Sequence, residues 1–332
     1  MIDKRIAVIG AGKVGSALAL GLSRAGCAVT GVASRSPASA GRLAFLIGCR
    51  PCATLSDAAA GAEVLIIAVP DRAVGRVGRK LARSGAVRPG HVVIHTSGAL
   101  PSGALDAVRG QGAAAASMHP VQSFARLDDV ERLYGCYYGV EGDPKAVAAV
   151  REMVSLLGGR VLPLDGCDKA LYHAAACVAS NYLVVLLHLA RTLIESAGVD
   201  AEQGRRALLR LAEGTLANAG EMDLPSALTG PIARGDTGTV ARHARAMSGI
   251  VPEAARLYGH LGLYAVELAR AGGGLDALRS IKMVNLLKGV TADDGFPGDH
   301  GVAAPDEAGR AADHDADGLR LPDGPHSRRG GH

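Results

Sequence analysis

Apolar residues in the first half of the chain fall into short unbroken runs, each followed by a stretch with helical spacing. Runs at 6–9, 28–33, 63–70, 91–95, 113–119, 137–140 and 160–164 read as strands. Val14, Ala17, Leu18 and Leu22 mark a helix after the first, and 56–60, 73–84, 101–108 and 145–157 are further helices. Runs apolar on both faces belong to central parallel strands covered by helices. The pattern predicts an α/β domain, a doubly wound parallel sheet of Rossmann type, over residues 1–165.

Beyond Asp165 the strand signals stop. Segments 169–197, 201–219, 237–248, 252–271 and 275–287 have helical composition, with turn signals at Gly198, Gly220 and Gly272. They predict a mainly α-helical second domain over 166–290. Within it, residues 170–190 carry no formal charge, which is long enough for a bilayer span. His173, Asn181 and His188 interrupt that stretch, and it lies in mid-chain with no second span. The expectation is the central helix of a helical core, outside any membrane. From residue 291 on, Gly, Asp, Pro, Ala and His dominate, a composition too polar to offset its ordering entropy, so 291–332 reads as a disordered acidic tail.

Composition narrows the partners. Hydrophobic residues make up 48% and charged residues 20%, which is globular. Trp is absent and aromatics are 3%, so stacking platforms for single-stranded nucleic acid are not expected. The net charge is +4; nine acidic residues and four arginines beyond residue 290 leave +9 for the rest. Those arginines are scattered, which suits phosphorylated small molecules better than a nucleic-acid face. Of the six cysteines, Cys49 and Cys52 form a lone CxxC without the second pair that zinc would need, so no metal is expected. Asp3, Lys4 and Arg5 lead straight into the first strand. No leader is read there, and a reduced, cytoplasmic setting follows as an expectation.

The first strand runs into Gly10-Ala11-Gly12-Lys13-Val14-Gly15, the glycine turn and helix start that hold a dinucleotide pyrophosphate. A helix N-terminus offers free N–H groups and the positive end of its dipole to the anion. No carboxylate lies between Asp3 and Asp57, and Ser34-Arg35-Ser36 stands where an NAD site has an acidic residue. A guanidinium and two hydroxyls suit a 2′-phosphate, which makes NADP(H) the expected cofactor. In such a sheet ligands bind beyond the carboxyl ends of the strands. That places Val69 and Pro70, then Thr96 and Ser97, beside the cofactor, and His119 beside substrate, although each can also serve as turn chemistry.

Lys169 and His173 are four apart and share a helix face, with Ser180 nearly in line three turns on. A partly buried lysine can give a proton to a carbonyl oxygen as hydride arrives, with His173 relaying or orienting and Asn181 fixing a substrate polar group. Thr229 and Gly230 open a turn whose N–H groups can hold a carboxylate beside Arg234. Its plainer use is an interhelical turn in which Asp236 or Thr237 caps the next helix.

These motifs, together with Met118-His119-Pro120-Val121-Gln122-Ser123-Phe124, Leu171-Tyr172-His173 and the segment 227–236, resemble a family of oxidoreductases with a Rossmann-like domain and a C-terminal domain of unknown function numbered 2520. The resemblance covers roughly residues 4–288. It extends to the superfamily of 6-phosphogluconate dehydrogenase, ketopantoate reductase and pyrroline-5-carboxylate reductase. It implies an NADPH-dependent reductase of a small α-keto acid, most readily ketopantoate, and a homodimer formed through the helical domain. An imine reductase or a non-catalytic NADPH-binding protein are the alternatives. Where superfamily dehydrogenases have Lys-x-x-x-Asn, this chain has Lys169 and His173 four apart, so the substrate contact departs from the pattern.

Overall fold

The structure, a computed structural model, describes residues 3–127 and 129–292. The chain divides into two compact units, with the division between Arg210 and Leu211. The first contains β1 (Arg5–Ile9), α1 (Lys13–Arg24), β2 (Ala28–Ala33), α2 (Pro37–Ile47), β3 (Arg50–Cys52), α3 (Leu55–Ala60), β4 (Val64–Ile67), α4 (Asp71–Arg83), β5 (Val92–His95), α5 (Asp106–Arg109), β6 (Ala114–Pro120), β7 (Tyr137–Gly142), α6 (Pro144–Leu156), β8 (Arg160–Pro163) and α7 (Lys169–Ser196). Helix α8 (Ala201–Glu221) crosses the division, and α9 (Leu224–Ala227), α10 (Thr237–Ser248), α11 (Pro252–Ala271) and α12 (Ala277–Thr291) follow. The expected boundary at 165/166 therefore differs from the observed one, because α7 belongs with the strand-containing unit. The expected tail lies, from residue 293 on, outside the described residues.

The eight strands form one sheet in the order β3-β2-β1-β4-β5-β6-β7-β8. Its first six strands have the doubly wound order, reversing between β1 and β4. The side-chain period of two divides the core between the faces. Ile6, Val8, Val64, Ile66, Val92 and Ile94 pack on one side with α1, α2 and α6, while Ala7, Ile9, Leu65, Ile67 and Val93 pack on the other with α3, α4 and α5.

One departure from an all-parallel sheet matters for the site. β7 runs antiparallel to β6, and β8 is parallel to β7. Among its described residues the connection 121–136 contains a 3₁₀ turn at Asp129–Leu133 but no α-helix to recross the sheet, so the chain returns beside the strand it left. Ser117 consequently faces Glu141 across the pair, and His119 faces Gly139.

Cys49 packs against the core on one face of the sheet and Cys52 lies in the core of the other. The CxxC pair is two separate thiols, each with its pKa raised mainly by burial.

Helix α7 corrects a second expectation. It is not the centre of a buried core: within it only Lys169 is buried, while Leu171, Val178, Tyr182 and Val185 are 71%, 59%, 58% and 52% exposed. By length and composition it could cross a bilayer, and it is the single such helix among the described residues. Asp168 caps its start, its carboxylate accepting from the N–H groups of Ala170 (2.8 Å) and Leu171 (3.1 Å). Such a cap stabilises a helix by about 1 kcal/mol and here fixes where Lys169 begins.

The second unit has its own core of Val240, Val266, Ala269, Leu275, Met283 and Leu287. Asp236 caps α10, accepting from Thr239 N at 2.9 Å, which is the plainer of the two uses read for that segment.

Candidate functional site

The glycine turn follows β1 as expected. Gly10 has φ +113°, and a Cβ there would stand 2.1 Å from the Ala68 carbonyl oxygen. A Cβ on Gly15 would stand 1.9 Å from the Gly10 carbonyl oxygen, so α1 is held directly against the turn. At Gly12 no atom of the described residues beyond its chain neighbours lies within 4 Å of that position. Gly12 is also the N-cap of α1, with no side-chain cap and no acidic residue in the first turn. Ala11 and Val14 are half-buried, and Lys13 is exposed as the first helical residue. An open backbone face, uncapped N–H groups and a positive dipole end make an anion cradle.

Ser34-Arg35-Ser36 directly follows β2. Ser36 caps α2, its Oγ accepting from Ser39 N at 3.3 Å, while Arg35 is exposed. Of the three residues, Ser36 is therefore engaged in the helix start, and Arg35 and Ser34 have side chains left to meet a phosphate. Val69 is half-buried and Pro70 is the N-cap of α4.

At the C-terminal end of β5 and β6 the structure brings several polar side chains together. His95, Ser117 and Glu141 lie in register across three strands. His95 is fully buried; its Nδ1 accepts from Ser97 N at 3.2 Å and its Nε2 bonds the Pro101 carbonyl at 3.1 Å. That pairing fixes a neutral ring, and burial pushes its pKa down to about 4. Ser97 is buried: its Oγ accepts from Leu100 N and its carbonyl accepts from Ser117 Oγ at 3.2 Å. Thr96 is half-buried beside it.

Lys169 enters from the start of α7. It is 6% exposed, and its Nζ donates to Ser117 Oγ at 2.9 Å. Burial lowers its pKa, and the negative charge of Glu141 works against that shift. Nζ also lies 5.5 Å from the centroid of the Tyr172 ring. Tyr172 Oη is 2.7 Å from His119 Nδ1, and the two rings meet edge to face. The His173 ring centroid is 6.1 Å from that of His119. Both imidazoles close over Gly98, where a Cβ would stand 2.8 Å from His173 Cδ2 and 2.9 Å from His119 Nε2. Burial pushes the His119 pKa down to about 4, reinforced by the Lys169 and His173 charges and opposed by Asp71. Tyr172 is pushed up to about 12 by burial.

Lys169, His173 and His119 thus meet, as does the Thr96–Ser97 turn beneath them. Ser180 and Asn181 lie seven and eight residues beyond His173, roughly 10 and 12 Å along the helix. Ser180 is half-buried and Asn181 exposed, and neither hydrogen-bonds the cluster. Thr229 and Gly230 belong to the second unit, where they line a cavity of about 350 Å³ with Ser226 and Arg234. The segment after Gly230 is a turn that leads into α10. Ser117, Glu141 and Gly139 were not singled out from the sequence, and Tyr172 was named only within the Leu171-Tyr172-His173 motif. Alternation along 113–119 does put Ser117 and His119 on one face of β6, but the partner that gives them meaning lies 52 or 53 residues on. Among the described residues no cluster of metal-ligating side chains occurs.

The sequence matches a Rossmann-like domain over residues 3–120 and a domain of unknown function, DUF2520, over residues 136–265. No curated protein is similar enough to match it. Among solved structures, a protein from Bacteroides fragilis assigned as an NADP oxidoreductase is 24% identical, covers 80% of this chain and 98% of its own, and superposes with a TM-score of 0.67. A protein from Thermotoga maritima is 26% identical with the same coverage and a TM-score of 0.62. A pyrroline-5-carboxylate reductase from Coxiella burnetii is 16% identical, covers 87% and 99%, and has a TM-score of 0.55.

Proposed function

We propose that this chain, a Rossmann-like domain followed by a DUF2520 domain, is an NADP(H)-dependent oxidoreductase that reduces the carbonyl of a small α-keto acid of the ketopantoate type. One observation carries the reading. Two imidazoles close over Gly98, with a phenol hydrogen-bonded to one of them and a buried lysine on the nearby Ser117, at the sheet end where a doubly wound fold binds its ligands. The cofactor fits the chain at its other requirement, the open backbone face at Gly12 on an uncapped helix start. In this reading Gly10 to Gly15 hold the pyrophosphate, Ser34 and Arg35 the 2′-phosphate, and Val69, Pro70, Thr96 and Ser97 flank the nicotinamide side. Bound there, the dinucleotide supplies hydride to the substrate carbon.

The chain's own residues do the rest. Lys169 holds a positive charge beside the reacting centre, which attracts an anionic keto acid and stabilises charge growing on its oxygen. His119 and His173 close over Gly98; Ser180 and Asn181 on α7 remain proposed substrate contacts, and Thr229 and Gly230 remain proposed ligand contacts within the second unit. A carbonyl oxygen must gain a proton as it is reduced, and this cluster is rich in donors. A protonated imine arrives with its proton and would meet the Lys169 charge, so the keto acid is the better fit. The exposed apolar residues of α7, spaced seven, four and three apart at Leu171, Val178, Tyr182 and Val185, support a homodimer through this helix. A cytoplasmic location goes with that reading.

The test is NADPH absorbance decay with ketopantoate, other short α-keto acids and pyrroline-5-carboxylate. We expect turnover of a keto acid, lowered roughly 100-fold or more in Lys169→Ala with NADPH affinity kept. NADPH binding with no turnover across that panel would instead identify a non-catalytic NADPH-binding protein.

A further inference from the structure

The two ring nitrogens of His119 have different surroundings. Nδ1 is 2.7 Å from Tyr172 Oη. Nε2 makes no hydrogen bond among the described residues, and its edge of the ring lies over Gly98 at the sheet end where ligands bind. The groups that bear on this ring are Tyr172, Lys169 and His173 from α7 and Asp71 from α4, and their balance leaves it neutral at neutral pH. Tyr172 keeps its proton well above that pH. A neutral imidazole can meet a protonated phenol at Nδ1 either by accepting from it or by donating to it. Tyr172 Oη has no other acceptor among the described residues, so donation to Nδ1 is the arrangement that satisfies the phenol's proton, and it leaves the ring's own proton on Nε2.

The backbone is built to allow this contact. Gly139 is the cross-strand partner of His119, and a Cβ there would stand 2.5 Å from the Tyr172 hydroxyl. Any side chain at 139 would push the phenol off the imidazole. Lys169, by contrast, is almost wholly enclosed and already donates to Ser117 Oγ.

We infer that Tyr172 holds His119 as its Nε2–H tautomer and that the reduced oxygen takes its proton from His119 Nε2, not from Lys169. This rests on the keto-acid reductase reading above. With hydride from the nicotinamide on the carbon, an O–H bond forms on the substrate as the Nε2–H bond breaks. The Tyr172 O–H proton moves to Nδ1 in the same relay, leaving a neutral ring and a phenolate. An alkoxide is about as basic as hydroxide, and so more basic than the Tyr172 phenolate even with the phenol's pKa raised by burial, which makes the transfer run downhill. The Lys169 ammonium beside the Tyr172 ring favours that phenolate. When product leaves, water returns a proton to Nε2 and Nδ1 returns its own to Tyr172. In this scheme His119 is catalytic and Tyr172 is a positioning residue that acts through it.

The test uses the full chain, with ¹⁵N-labelled histidine. NMR should find His119 with Nε2 protonated and Nδ1 bare from pH 6 to 9, and Tyr172→Phe should convert it to mixed tautomers. In kinetics, Tyr172→Phe should lower kcat on the best keto acid about 100-fold with KM and NADPH affinity little changed. Gly139→Ala should reproduce the tautomer change while Tyr172 is intact. A wild-type His119 protonated on Nδ1, or an undiminished kcat in Tyr172→Phe, overturns the route alone. Absence of wild-type turnover on every keto acid and imine overturns the reductase reading, and the route with it.

Discussion

Two histidines held neutral in this fold should make it labile to mild acid. An imidazole in the unfolded chain titrates near 6.5, whereas burial sets His95 and His119 at about 4. As pH falls, the unfolded state therefore takes up protons first, and the stability these groups contribute above about pH 7 is lost on the way down to 4. Linkage turns the shift into free energy. Between pH 7.5 and 5.0 each histidine removes about 2 kcal/mol, and each has removed about 3 kcal/mol by pH 4. Both together remove about 4 kcal/mol by pH 5.0, a large share of the 5–15 kcal/mol typical of a domain. His91 acts in the same sense. It is 2% exposed, neither ring nitrogen has a partner among the described residues, and its pKa is lowered by burial and Arg88, with Glu63 opposing. Unfolded carboxylates titrate near 4, so a window ending at pH 5.0 largely excludes them. The assay is urea denaturation followed by far-UV circular dichroism at pH 7.5, 6.5, 5.5 and 5.0. His95→Asn, whose Oδ1 can still accept from Ser97 N, should be less stable at pH 7.5 yet lose about 2 kcal/mol less than wild type on acidification. Equal losses in the two proteins, or an NMR titration of His95 near 6.5, would refute the reasoning.

Arg35→Ala should weaken NADPH binding about 10- to 100-fold, the worth of one charge-assisted contact, and leave NADH binding unchanged; equal weakening of both would remove Arg35 from the 2′-phosphate. Val178→Asp combined with Val185→Asp should convert a dimer of the 33.7 kDa chain into a monomer by light scattering, and a wild-type protein that is already monomeric at micromolar concentration would sink the dimer.

What could be read from the sequence was what local chemistry decides. A strand that must be buried on both faces is apolar nearly throughout, so 64–67 and 92–94 announced themselves. Gly10 and Gly15 were legible for the same reason: Ala68 O and Gly10 O occupy the space a side chain would need. The start of α10 was legible because Asp236 caps it, whereas the caps Asp168, Asp223 and Asp276 were not read as such. The antiparallel turn into β7 was not, because strand direction depends on the path of 121–136, and no residue there states it.

The burial of α7 failed for a different reason. Apolarity says that a surface leaves water, not what covers it, and among the described residues of α7 only Lys169 is fully buried. The site shows the same limit from the other side. Lys169, His173 and His119 stand out as residue types, so they were found, yet their roles depend on Ser117, Tyr172 and Gly139, which look like ordinary strand and helix residues. Gly139 is the clearest case. Its value lies in the side chain it lacks, and that absence means something only once β7 is known to lie against β6 with residue 139 opposite His119. A proton route is a property of contacts between elements, so it becomes visible when topology sets the register.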